Sequence, residues 1–199
     1  MQRDAQEGSS RHFPNASSGV RVNDQPLMEA FALLGECDEV LDKYEQTRDP
    51  ALLPAMRAIK PRCEAAIETW SSMLDALPEG VLDPSRQQLQ QPGEPARQVL
   101  LGSLSMMYLK LGCAHLYLGE SDDAKSCFER ARDTGIETGR ASEVAQAANN
   151  LGLIAIEQGD MTGAARYFRW AINRLDPETE RDFGPTLRQN LAYVEGQTP

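Results

Sequence analysis

The side chains with the most reactive groups are four cysteines, Cys37, Cys63, Cys113 and Cys127, and two histidines, His12 and His115. Thiolates and imidazoles bind zinc, or act as nucleophile and base, when their spacing brings them together. These form no CxxC pair and no metal-ligand spacing, and the histidines lie far apart. Asp122-Asp123 reads as two acids at the positive end of a helix rather than a cation site. No phosphate-binding glycine loop, paired-carboxylate arrangement or nucleophile–base–orienter set appears. The expectation is no catalytic residue, no metal and no cofactor. Free, mostly buried thiols point to a reducing compartment, and hence to the cytoplasm.

Composition narrows the partners. The chain has 199 residues, 41% of them apolar, so a packed core is within reach. Thirty acidic and twenty basic side chains give a formal charge of −10, which makes nucleic acid or an anionic membrane an unfavourable partner. Arg166, Arg169 and Arg174 are the candidates for a local basic patch. Neither a signal-peptide run nor an uninterrupted membrane span is expected.

The elements that must position these groups read as helices. Residues 1–25 are rich in Gly, Ser, Asn and charge and are expected to form a flexible arm. Residues 26–77 hold a helical pair. Leu27, Phe31, Leu34, Cys37, Leu41 and Tyr44 recur at helical spacing, with Asp24 a possible cap. Asp49 caps the next segment with Pro50 at its first position, and Pro61 is expected to break or kink that helix near Ile59. Trp70 reads as a core anchor. Residues 78–95, rich in Pro and Gln, read as a linker. Helices follow at about 96–118, 121–135 (capped by Ser121), 141–158 and 161–175. Asp176-Pro177 is read as a stop before a last helix at 183–194.

A repeat runs through the organised part. Leu111-Gly112, Gly119, Ala124, Phe128 and Ala131 recur forty residues later as Leu151-Gly152, Gly159, Ala164, Phe168 and Ala171, without a gap. Asn190 and Leu191 continue the register from Asn150 and Leu151. Small and large side chains at fixed offsets describe one packing problem solved twice, the signature of stacked supersecondary units. A glycine inside a helix costs roughly 1 kcal/mol against alanine, so its repetition implies a close helix crossing.

The stretches "YLKLGCAHLYLGESDDAKSCFERA" and "ANNLGLIAIEQGDMTGAARYFRWA" resemble the tetratricopeptide repeat family, in a long-helix variant with a forty-residue period. The resemblance implies an all-α fold: a short right-handed α-solenoid of antiparallel helix pairs over residues 96–194, closed by a C-terminal capping helix. Residues 26–77 are then a helical pair or a degenerate repeat. It implies a non-enzymatic adaptor or regulatory module that binds a peptide or helix in a concave groove. A structural assembly subunit, which allows a homo-oligomer, and a dedicated chaperone for one client are the alternatives. Carried over by position, Met106, Leu109, Lys110, Cys113, Leu116 and Tyr117 fall near the concave side of the first unit. Gln146, Asn149, Asn150, Leu153, Ile156 and Glu157 fall there in the second, with Gln189 and Asn190 extending the line. The expected partner-binding set is Lys110, Tyr117, Asn149, Asn150, Leu153, Glu157 and Asn190. The asparagine amides either pair with a ligand backbone or brace a neighbouring helix, and Tyr117 either anchors a partner or braces the repeat. Leu109 and Cys113 stand where chaperone-binding members need a lysine and an asparagine, which argues against an acidic chaperone tail as ligand.

Overall fold

The computed structural model describes residues 24–77 and 94–197. Most of the expected arm, nearly all of the linker and the Asp24 side chain lie outside the described residues. Seven α-helices and no strand are found among the described residues: α1 Asp24–Thr47, α2 Leu53–Asp75, α3 Glu94–Tyr117, α4 Ser121–Thr138, α5 Ala141–Glu157, α6 Met161–Ile172 and α7 Pro177–Gln197. Successive helices pair antiparallel and stack in chain order into an all-helical, solenoid-like fold. The odd helices also touch one another in the order α1, α3, α5, α7, whereas no backbone contact joins α2 to α4 or α4 to α6. One side of the stack is therefore a continuous wall of odd helices, and the other carries separated even helices.

The repeated small residues answer a steric demand. A Cβ on Gly112 would sit 2.7 Å from Cε1 of Phe128, and one on Gly152 would be closer still to Phe168. Both rings are fully buried, as are Ala124, Ala131, Ala164 and Ala171. The two turns are built alike. Gly119 and Gly159 take φ of 80° and 78°, a region open to glycine without steric cost. The next amide then reaches back, from Glu120 to the His115 carbonyl at 2.9 Å and from Asp160 to the Ala155 carbonyl at 2.8 Å, closing both first helices the same way.

Three expectations about helix ends need correction. Helix α2 runs unbroken through Pro61. The residues around it keep their register in the core, since Met56, Ile59, Cys63, Ala66 and Trp70 are all buried. Pro61 itself faces solvent, where water can take the carbonyl its missing amide leaves free. Asp176-Pro177 starts a helix rather than stopping the chain. The Asp176 carboxylate accepts from the Thr179 amide at 2.8 Å, Pro177 takes the first helical position, and α7 continues through an exposed Pro185. At α4 the capping position falls on Glu120, with no side-chain cap bond, so Ser121 is already inside the helix.

The N-terminal pair shares its core with the repeats. Leu33, Leu34, Cys37, Met56, Cys63 and Trp70 pack in one cluster with Leu100, Leu104, Met107 and Leu111 of α3. The stretch Arg97–Tyr117 of α3, with a mean hydropathy of 1.3, is by length and composition apolar enough to cross a membrane. The sequence reading expected no such span. In this fold 67% of that stretch is buried, mostly between α2, α4 and the helices beside it, which gives its apolar residues a place in the core.

Candidate protein-binding face

The wall of odd helices carries the residues singled out from sequence, and the structure gives each a distinct setting. Lys110 of α3 forms an ion pair with Asp38 of α1. Burial works against its ammonium, but the Asp38 carboxylate outweighs this and holds its pKa above the ordinary value. The Tyr117 ring packs at a tilt against Tyr44 of α1, ring centroids 5.0 Å apart, with the Arg48 guanidinium 5.4 Å from the centre of the Tyr117 ring. Burial pushes the Tyr117 phenol up, so it stays neutral and available as a donor. Helix α1 thus engages both first-unit candidates. Sequence reasoning missed Asp38, Tyr44 and Arg48 because the α1–α2 pair lacks the repeated code. Arg48 has its own backbone signature, a non-glycine φ of 52° at the end of α1.

The asparagines form a polar seam. Asn150 donates to the Cys113 sulfur of α3 at 3.8 Å. Burial raises that thiol to about 12, so it meets the amide as a neutral SH group. Asn190 of α7 donates to Asn149 of α5 at 2.8 Å. Each of these amides is half-buried and offers more donors and acceptors than these contacts use. Leu153 is half-buried against the α5–α6–α7 cluster, and Glu157 is exposed at the end of α5. Leu109 departs from expectation: at 3% exposure it lies inside the first repeat against Phe128, out of reach of a ligand.

A second cluster lies at the α3–α4 turn. His115 is buried, and its Nδ1 hydrogen-bonds to Glu120 Oε2 at 2.6 Å. Asp123 Oδ2 is 4.0 Å from the same nitrogen. One ligand atom from each of His115, Glu120 and Asp123 lies within 4.8 Å of the others, a spacing a metal ion can use. The Lys60 ammonium of α2 already pairs with the same Glu120 oxygen, so the geometry fits an ion-paired clasp better than a cation site. Lys60 first and His115 second hold the Glu120 carboxyl below its ordinary value.

The small-large alternation, the paired glycine turns and the helix stacking all recur between the two units. The family model for the tetratricopeptide repeat matches residues 109–178, from the middle of α3 into the start of α7. Part of this chain carries a tetratricopeptide-like repeat pattern. Comparison with curated proteins and with solved structures returns no match. The tetratricopeptide-like segment covers the Asn149–Asn150 half of the seam, whereas α1, which engages Lys110 and Tyr117, lies outside it.

Proposed function

We propose that the protein is a non-enzymatic interaction module that holds a peptide or helix of a partner protein along the α1–α3–α5–α7 wall. A tetratricopeptide-like scaffold in general accords with a protein or peptide partner. The observation that carries the finer reading is the amide seam from Cys113 through Asn150 and Asn149 to Asn190, which crosses three helices and keeps hydrogen-bonding capacity in reserve. An extended or helical ligand exposes backbone or side-chain amides that can use that capacity. Leu153 supplies an apolar seat beside the seam, Glu157 a charge at its edge, and Lys110 and Tyr117 the border set by α1. The forty-residue, long-helix reading belongs to the same proposal. It is supported by α4 extending to Thr138, which absorbs the length beyond the turn-to-turn core. We place the protein in a reducing compartment on its four free thiols.

The test begins with capture of partners by the full chain at physiological salt, with Leu153→Ser as comparison. A partner retained by the parent and lost by the folded variant supports the wall as the binding face. Retention by both, with unchanged melting curves, contradicts it. Concentration-dependent light scattering on the same samples detects a self-assembling subunit instead.

A further inference from the structure

Between the even helices α4 and α6, on the side away from the amide seam, lies an open groove of about 420 Å³ lined by Arg132, Asp133, Ile136, Arg166, Tyr167, Trp170 and Arg174. We propose that this groove is a second docking site, for a short acidic segment of a partner protein that carries an apolar side chain beside its carboxylates. The reading does not rest on the function proposed for the opposite face.

Charge is the first observation. Three guanidiniums and one carboxylate line the groove of a protein whose formal charge is −10. Asp133 is paired with Arg132 at 2.8 Å. Arg166 and Arg174 are exposed, and neither has a carboxylate partner among the described residues. Arg169, the third member of the patch expected from sequence, turns to the other edge of α6 and pairs with Glu195 of α7. Arg132 of α4 takes its place, a residue that sequence spacing did not connect to α6.

The second observation is that two of the three cations are held in position. Trp170 carries the Arg174 guanidinium 4.2 Å from its ring centroid and that of Arg132 at 5.9 Å. Stacked guanidiniums keep their planar edges for bidentate carboxylate bonds, and less side-chain freedom is lost when a ligand arrives. Ile136, 49% exposed, gives the apolar contact that separates a peptide from a simple ion. A nucleic acid also presents anions, but its charge extends far beyond three arginines into a surface of the same sign. A peptide with a few carboxylates ends where the cations end.

The experiment uses the full chain and a fluorescein-labelled peptide, Asp-Glu-Leu-Asp-Glu, followed by fluorescence anisotropy. The acidic peptide binds, its affinity falls with added salt, and the R166E/R174E variant weakens it by about tenfold or more. I136S weakens it by a smaller factor, and R57A, on the distant α2, leaves it unchanged. Melting curves are taken for every variant, and if the double variant fails to fold, R166E and I136S alone decide the matter. The proposal is overturned by no measurable binding to the parent chain, by equal binding of a Lys-Lys-Leu-Lys-Lys peptide, or by undiminished binding to folded arginine variants. Tighter binding of a labelled oligothymidylate overturns it in favour of nucleic acid. Self-association abolished by R166E/R174E overturns it in favour of a second copy of this chain.

Discussion

Gly35 and Gly152 both lie inside helices, where alanine is preferred by roughly 1 kcal/mol. A Cβ meets nothing within 4 Å at Gly35, whereas at Gly152 it runs into the Phe168 ring. The two positions therefore respond oppositely to the same substitution. Gly35→Ala is expected to stabilise by up to about 1 kcal/mol. At Gly152 the overpacking cost, about 1–3 kcal/mol, exceeds that gain, so Gly152→Ala destabilises. Denaturant midpoints of the two variants check this, and a stabilised Gly152→Ala would mean that the helices do not cross as closely as described. The Glu120 clasp gives a pH signature. Its folded carboxyl titrates below the ordinary value, so its contribution is complete above the ordinary carboxylate range and is lost as pH falls through the depressed value. The melting temperature of Glu120→Gln should lie below that of the parent near neutral pH, and the gap should close in acid. A gap independent of pH would show that the clasp does not act through charge.

At the scale of helices, the prolines show where sequence reasoning stops. Pro50 and Pro177 each follow an aspartate whose carboxylate accepts an amide two or three residues on, at 2.9 Å from Ala51 and 2.8 Å from Thr179. Asp49-Pro50 is legible as a start from sequence alone, although it caps a short 3-10 turn, Pro50–Leu52, that leads into α2 at Leu53. Asp176-Pro177 reads as a stop there, because the buried residues that define α7, Thr179, Leu187 and Val194, are too sparse to show its phase. Pro61 and Pro185 sit inside α2 and α7 on exposed positions, and burial of their neighbours overrides the local preference to break. Replacing Pro61 with alanine restores an amide to α2 and is expected to stabilise the protein by about 1–3 kcal/mol, somewhat less than the full propensity difference because the unfolded chain also gains freedom. Thermal melting measures it. A destabilised variant would place the ring in a packing role that its exposure does not suggest. Asp160 shows the same logic at a cap, accepting from the Gly163 amide at 2.7 Å, a start signal that the sequence reading did not name.

Across the whole molecule, the repeats were legible because glycine, alanine and phenylalanine at one offset admit few packings. The N-terminal pair was legible as helices, either an extra pair or a degenerate repeat, but its packing against α3 was not. Its contact with α3 uses ordinary aliphatic residues, together with Cys37 and Cys63, whose sulfurs lie 3.5 Å apart without being bonded as a disulfide. For the same reason the placement of Lys110 beside Asp38 and of Tyr117 beside Tyr44 was out of reach, since α1 shares no register with the repeats. The asparagine seam lies between these cases. Its forty-residue spacing placed Asn150 and Asn190 on one wall, while the bond from Asn190 to the neighbouring Asn149 depends on how α5 and α7 turn toward each other. Recognition through that wall is tested most directly by calorimetric titration of a captured partner against the parent chain and against Asn150→Ala and Asn190→Ala. At least one variant should lose about 1–3 kcal/mol of binding free energy while keeping its melting temperature, as expected when a ligand group is left unpaired in the complex. Parental affinity in both folded variants would contradict recognition through the seam.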